Sequence, residues 1–424
     1  MPLTDGLRAR FLEGVRPWLA AGGVSSPPVR IIEPSEKAAL LALAVSGGGD
    51  SMAMLHLATG LPVRVVTVDH GLRPEAAAEA AGVGRVCADL GLPHEILHWH
   101  WDGRGNLQDA ARRGRRAVIA TWAQGAGVGA VALAHTQDDL AETFVMRLAR
   151  GAGVDGLAAM VPQWDEAGLT WLRPLLGTSR AELRAYLRGV GGTWVEDPSN
   201  DNLRFDRVKV RKALAFLGPL GVTSERLAEV AGHLAEARAA LEAVTDQLAE
   251  QALVHVAGAV KVDRAVLAGA APEVQRRVVL RVIGGIVPDF YAPRGAAVQA
   301  LLGRLLAGQG GTLAGCRFQV TRGQLWAYRE GRAVAGIVSS PGEVWDGRWC
   351  LTGPAGHQVR ALGQGLALCP DWRAVGVPRG ALMSGPALWQ GSTLIAAPQA
   401  GLIPPGGAIS LFPVRQMQHS ALSH

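Results

Sequence analysis

The chain contains no run of about 18 uninterrupted apolar residues, so nothing in it reads as a bilayer-spanning helix and no membrane partner is expected. Met1 to Ala20 carries Asp5, Arg8, Arg10, Glu13 and Arg16 where a secretory signal would have a continuous apolar block. The expected compartment is therefore the cytoplasm. Cysteine is scarce. Cys87, Cys316, Cys350 and Cys369 stand far apart, which excludes the close pairs of a zinc site or a dithiol redox motif and leaves four reduced structural thiols. Internal repeats are absent too.

What remains is a soluble globular composition of 49% hydrophobic and 18% charged residues. At 424 residues it exceeds what one ordinary core serves, so two or three domains are expected. A net charge of +6 is a weak pointer to an acidic partner, and its distribution says more. Arg104, Arg112, Arg113, Arg115 and Arg116 crowd one stretch, and Arg204, Arg207, Lys209, Arg211 and Lys212 another. Each cluster reads either as an electrostatic footprint for phosphates or as a solvated helix face.

The N-terminal half alternates short apolar runs with helical patterns. Strands are expected over Ala39 to Val45, Val63 to Val68, His94 to Trp99 and Ala130 to Ala134, with helices after Ser51, over Glu75 to Leu90 and over Asn106 to Gly125. This predicts an α/β fold, a parallel sheet flanked by helices, with ligands beyond the carboxyl ends of the strands. The polar clusters after Val45, Val68 and Ala134 all fall at that edge. Beyond Leu214 the texture changes to a long helix over Ser224 to Ala252 and further helical stretches, then strand-like runs near Cys316 to Val320 and Gln324 to Tyr328. Ser339-Ser340-Pro341-Gly342 reads as a linker before a Gly-, Pro- and Trp-rich segment with short strands. The expected division is a catalytic domain over 1–215, a mainly helical domain over 216–338 and a small β-rich domain over 342–424.

Ser46-Gly47-Gly48-Gly49-Asp50-Ser51 lies where the first strand turns into a helix. There, backbone N–H groups and the helix dipole converge on an anion, the glycines permit close approach, the hydroxyls of Ser46 and Ser51 add donors, and Asp50 offers an oxygen to Mg²⁺. No Lys follows the glycines, so this is not a Walker A loop, and the glycine spacing is not that of a dinucleotide fold.

The loop resembles that of the PP-loop ATP pyrophosphatases, with a Rossmann-like sheet. Further positions narrow the resemblance: Asp69-His70-Gly71-Leu72-Arg73; Ala110-Ala111-Arg112 with Arg115; Ala134-His135 with Asp138-Asp139 and Glu142-Thr143; Arg150-Gly151-Ala152-Gly153 with Gly156-Leu157; Arg173-Pro174-Leu175-Leu176; and Trp194-Val195-Glu196-Asp197-Pro198-Ser199-Asn200 with Arg207 and Arg211. Their order, over residues from about 40 to 214, is similar to that of the lysidine synthetases. The resemblance departs at Leu140, where that family usually has Gln, at Arg116 for Tyr, and at Val208 for Asn. It implies an ATP- and Mg²⁺-dependent ligase that adenylates the wobble cytidine of the CAU anticodon of an isoleucine tRNA and attaches L-lysine, changing the codon read from methionine to isoleucine. It further implies that Ser46 to Ser51 hold ATP, that Asp50, His70, His135, Asp139 and Glu142 are catalytic with Asp50 on the metal, and that Arg73, Arg112, Arg115, Arg207 and Arg211 contact tRNA or substrate. Oligomeric state, a homodimer included, stays open.

Local chemistry offers other readings. Asp139 and Glu142, three apart at a helix start, have the spacing of a capping box. Arg180, Arg184 and Arg188, four apart after a Ser179 cap, form a cationic stripe that either follows a tRNA backbone or faces water. Two rival functions are a PP-loop thiolase, which would need paired or catalytic cysteines, and a non-catalytic nucleotide- or RNA-binding module, against which the acidic residues beyond the loop argue.

Overall fold

The computed structural model describes residues 2–19, 40–71, 74–101, 103, 107–158, 160–196, 204–288, 290–404 and 409–414. Arg73, Arg104 and the turn Asp197-Pro198-Ser199-Asn200 lie outside them. The chain forms two compact units, Met1–Ala237 and Arg238–His424.

The first unit begins with α1 (Pro2–Val15) and then runs β1 (Leu40–Ala44), α2 (Gly49–Leu57), β2 (Val63–Asp69), α3 (Ala76–Asp89), β3 (His94–His98), α4 (Leu107–Ala126) and β4 (Val128–Leu133). It continues through α5 (Gln137–Leu148), α6 (Val154–Leu157), β5 (Gln163–Glu166), β6 (Leu169–Leu172), α7 (Arg180–Gly189) and α8 (Asp206–Leu217) into α9 (Ser224–Ala252), whose first half belongs here. The sheet order is β3-β2-β1-β4-β6-β5, parallel except for the β5–β6 hairpin at one edge.

Alternation along the strands explains how the sheet is covered on both faces. Leu41, Leu43 and Val45 point to one side, where α1, α2 and α7 supply Phe11, Leu55, Leu183 and Leu187. Ala42 and Val66 point to the other, where Ile119 and Ala123 of α4 meet Val131 and Trp171. The chain builds β1, β2 and β3 outward in one direction and then returns to lay β4 on the opposite flank of β1. That reversal is a topological switch point, so the loops leaving β1 and β4 open beside each other at the carboxyl edge.

The second unit has a five-stranded antiparallel sheet, β7-β8-β11-β10-β9, made of β7 (Leu253–Val256), β8 (Ala259–Val262), β9 (Gly311–Leu313), β10 (Cys316–Thr321) and β11 (Gln324–Arg329). The helices α10 (Arg264–Gly269), α11 (Pro272–Ile286) and α12 (Gly295–Leu306) lie with it, and Val278, Ile283 and Leu302 pack on Phe318 and Leu325. Trp326 and Tyr328 on the opposite face pack against Leu362, Leu382 and Ala387. The remaining strands form two three-stranded sheets, β12 (Val344–Trp345), β13 (Trp349–Leu351) and β17 (Leu411–Pro413), and β14 (Gln358–Ala361), β15 (Pro386–Gln390) and β16 (Thr393–Ala396). Sequence pattern anticipates β10 and β11 but not the hairpin β7–β8. Its turn places Ala257 at φ 45° and Gly258 at φ 77°, and Ala carries no signal for a left-handed conformation.

Candidate active site at the carboxyl edge of the sheet

The glycine loop is held open by its own side chains. Ser51 Oγ donates to the Gly48 carbonyl at 2.9 Å, lies 3.2 Å from Ser46 Oγ and accepts from Ser46 N–H at 3.2 Å. Gly47 adopts φ 88°, a conformation that a side chain would strain. Gly48 is the N-cap of α2 and brings no capping side chain, so the first-turn N–H groups of Gly49, Asp50 and Ser51 stay available to an anion. The Gly47 carbonyl accepts from Val195 N–H at 3.0 Å, and Trp194 closes over Gly49, where an added Cβ would meet its ring at 3.5 Å.

Asp50 leaves this loop sideways. Its Oδ2 accepts from Arg180 Nε at 3.1 Å, while its Oδ1 is buried with no partner among the described residues. Burial raises the Asp50 pKa, a shift that the charge of Arg180 only partly offsets.

Across the switch point, β4 leads into α5. Thr136 is the N-cap of α5: its Oγ1 accepts from Asp139 N–H at 3.3 Å, and the Asp139 carboxylate accepts from Thr136 N–H at 2.9 Å. The capping box is therefore Thr136 with Asp139, and the three-residue spacing of Asp139 and Glu142 has a different meaning. Glu142 lies one turn on and is almost completely buried. Its Oε1 accepts from Arg180 Nη1 at 3.2 Å and from Arg211 Nε at 3.0 Å. Arg180 Nη2 donates to Asp139 Oδ1 at 3.3 Å. Burial would raise the Asp139 pKa, but Arg180 and the Thr136 N–H outweigh it and hold that carboxyl below its ordinary range. The three carboxylates likewise push Arg180 above its own ordinary value despite its burial. Arg180 gets there because the starts of α5 and α7 are pinned together: Arg180 N–H donates to Asp138 Oδ2 at 2.7 Å and Gln137 N–H to the Thr178 carbonyl at 3.0 Å.

The expected cationic stripe is thus not uniform. Arg180 turns into the acidic cluster and Arg184 pairs with Glu196. Arg207 and Arg211, one turn apart on α8, face the same cluster, with Arg207 about 4.0 Å from both Asp139 and Glu142 and partly open to solvent.

His135, at the end of β4, accepts from Arg173 Nε at 3.2 Å through Nδ1. Burial first, and then the charge of Arg173, lower its pKa to about 4. A neutral imidazole that accepts at Nδ1 carries its proton on Nε2, so His135 presents a donor. Arg173 itself lies 3.9 Å over the Trp164 ring, which stacks on Trp171, and donates to the Val161 carbonyl at 2.6 Å. Arg112 acts electrostatically on both His135 and Arg173.

His70 stands apart from the carboxylates. It meets Trp99 edge-on at 5.7 Å, and burial, then Arg115, lower its pKa to about 4. The structure therefore gathers Asp50, Asp139, Glu142, Arg207 and Arg211 into one charged cluster around Arg180, with His135 in electrostatic reach of Asp139 and Arg207, and leaves His70 with Arg115 at its β2–β3 flank. Sequence pattern alone gives no role to Arg180 or Arg173. Arg173 lies inside a recognised motif, whereas nothing local distinguishes Arg180 from Arg184 and Arg188.

The three departures find physical explanations. Leu140 packs with Phe144 and Ala231 where a polar residue would face α9, Val208 is buried on α8, and Arg116 forms an ion pair with Glu166 at 2.6 Å. All four cysteines are free. Cys87, Cys316 and Cys369 are buried, and burial raises the Cys87 thiol to about 11, so it is no nucleophile at neutral pH. Among the described residues no helix is long and apolar enough to cross a membrane.

The profile of the PP-loop domain family matches residues 28–216. The tRNA(Ile)-lysidine synthase of Ruegeria pomeroyi is 47% identical over 372 residues, covering 85% of this chain and 89% of that protein. The tRNA(Ile)-lysidine synthase of a Methylobacterium species is 43% identical over 235 residues, 54% of this chain and 64% of that protein. That of Zymomonas mobilis is 44% identical over 212 residues, 48% of this chain and 64% of that protein. With a glycine loop and an acidic cluster meeting at one switch point and with a relative 47% identical over 85% of its length, the chain belongs to the tRNA(Ile)-lysidine synthase family.

Proposed function

We propose that this chain is an ATP-dependent ligase that adenylates the wobble cytidine of the CAU anticodon of tRNA(Ile) and attaches L-lysine. The observation that carries the reading is the junction of the phosphate loop, through Asp50, with the buried carboxylates Asp139 and Glu142, through one guanidinium. Phosphate chemistry and amine chemistry have to occur within a few ångströms of each other in such a ligase, and these groups are arranged for both.

In the first step the oxygen on carbon 2 of cytosine attacks the α-phosphorus of ATP, forming an O–P bond as pyrophosphate leaves. The N–H groups of Gly49, Asp50 and Ser51 hold the phosphates, and the Nε2–H of His135 donates to an anionic oxygen. In the second step a carboxylate of the cluster takes a proton from the lysine ε-ammonium, the resulting amine attacks carbon 2, the C–O bond to AMP breaks with its electron pair leaving on AMP, and the nitrogen passes its second proton to water. The buried carboxylates hold the ammonium beforehand. Mg²⁺ fits this site: Asp50 Oδ1 is buried without a partner, and no group of three or more His, Cys, Asp or Glu among the described residues could hold a metal by itself, so the remaining ligands would be phosphate oxygens and water. Bound there, it would offset the charge developing on pyrophosphate.

Arg112, Arg115, Arg207 and Arg211 supply cationic surface for the RNA, with Arg73 as a further candidate outside the described residues. Residues from about 216 onward are the tRNA-docking platform, a mainly helical part to 338 and a β-rich part over 342–424. The cytoplasm, where tRNA and ATP are found, is the working compartment. Purified protein incubated with labelled lysine, ATP and total tRNA tests the proposal. Label entering tRNA only when ATP is present supports it, and ATP-driven pyrophosphate release without lysine incorporation overturns it.

A further inference from the structure

The three carboxylates of the cluster differ in which oxygens are already engaged. Asp139 has both oxygens engaged: Oδ2 takes the N–H and the hydroxyl of Thr136 at 2.9 Å each, and Oδ1 takes Arg180 Nη2 at 3.3 Å. Glu142 is different. Oε1 is doubly engaged by Arg180 and Arg211, and Oε2 is buried without a hydrogen-bond partner among the described residues, its nearest cation being Arg207 at 4.0 Å. The Glu142 side chain is only 2% exposed, so water does not readily serve that oxygen. A buried carboxylate oxygen left unpaired is costly, and a site that keeps one is set up for a donor that arrives with a ligand.

Arg180 fixes one oxygen of each carboxylate, and Thr136 engages the other oxygen of Asp139 alone. The Arg180 Nε, Nη1 and Nη2 each donate to a different carboxylate, at 3.1, 3.2 and 3.3 Å, which only a planar fork with separate donors can do. We propose that Arg180 is a positioning residue that orders the three carboxylates, fixing one oxygen of each so that Glu142 Oε2 is the principal acceptor for the ammonium of the substrate lysine, with Asp139, both of whose oxygens are engaged, the weaker one. Arg180 touches no reacting atom; it acts through Glu142. The inference rests on the ligase reading and assigns within it which carboxylate receives the amine.

The test uses full-length protein, L-lysine as the probe and a non-hydrolysable ATP analogue. Calorimetry gives the equilibrium Kd of lysine with the analogue present and of the analogue alone, and labelled-lysine incorporation gives KM and kcat for lysine. Glu142→Gln is expected to raise lysine Kd and KM about tenfold or more. Asp139→Asn is expected to raise them by a clearly smaller factor than Glu142→Gln does. Arg180→Lys, which keeps the charge but not the fork, shares the Glu142→Gln phenotype, its lysine Kd rising by a larger factor than its analogue Kd. If Asp139→Asn weakens lysine as much as Glu142→Gln does, or if Arg180→Lys keeps wild-type lysine Kd and KM, the assignment is overturned. Failure of the wild type itself to incorporate lysine would instead sink the ligase reading, so the two failures are distinguishable.

Discussion

Arg180 Nε donates to Asp50 Oδ2 at 3.1 Å, joining residues 130 positions apart in the chain. The bond ties the first turn of α2, which carries the phosphate loop, to the first turn of α7, which is itself pinned to α5 through Asp138. Three helix starts therefore converge on one guanidinium, and the loop cannot shift without disturbing the carboxylates of α5.

Asp50→Ala is expected to lower pyrophosphate release from ATP about a hundredfold or more while leaving the melting temperature nearly unchanged, since the variant loses a charged oxygen at the phosphates rather than packing. Arg180 keeps Asp139 and Glu142 as partners. Pyrophosphate release at the wild-type rate would remove Asp50 from the reaction.

His70 and His135 make the fold sensitive to acid in a defined window. Both are held to about 4 in the folded protein, against about 6.5 in an unfolded chain. Between those values the unfolded state binds more protons, so stability falls as pH drops from about 6.5 toward about 4. Urea unfolding at pH 7, 6 and 5 should show a steeper loss for the wild type than for His135→Asn. Parallel losses would mean His135 titrates normally.

Asp139→Asn removes a charged acceptor from the capping box of α5 and should cost about 1 kcal/mol of stability. Chemical denaturation measures this directly, and an unchanged midpoint would show that Thr136 caps the helix alone.

Leu140→Gln introduces the residue that the resemblance leads one to expect at that position. Here Leu140 packs on Phe144 and Ala231, so the variant buries an amide among apolar groups and should lose about 1–3 kcal/mol with lysine kinetics preserved. A gain in turnover without loss of stability would show that a hydrogen bond is missing there instead.

A chain ending at Ala237, the boundary of the first compact unit, keeps Ala231 and Leu227 on α5 and should bind ATP. It should lose tRNA affinity and lysine incorporation. In the full-length protein tRNA binding should weaken steeply with added salt, as phosphate contacts do. Full tRNA affinity in the shortened chain would show that the docking platform lies in the first unit.

Much of this was legible in the residues before any coordinates. The apolar β-branched runs and their alternation with helical patterns determine the parallel sheet, because period and propensity are local properties. The anion-binding loop is equally local: strand, glycines and helix start are consecutive, and α9 spans the same Ser224 to Ala252 that its composition outlines. What sequence could not decide were the relationships between distant positions. Asp139 and Glu142 look alike at their spacing, yet Thr136 engages one and Arg211 the other. Arg180, Arg184 and Arg188 look alike along their helix, but only Arg180 sits on the turn that Asp138 holds against α5. Side-chain type and spacing specify which groups are present on an element. Which carboxylate is left with an open oxygen depends on how α2, α5, α7 and α8 converge beyond the sheet, and that convergence is set by long-range packing of the two sheet faces.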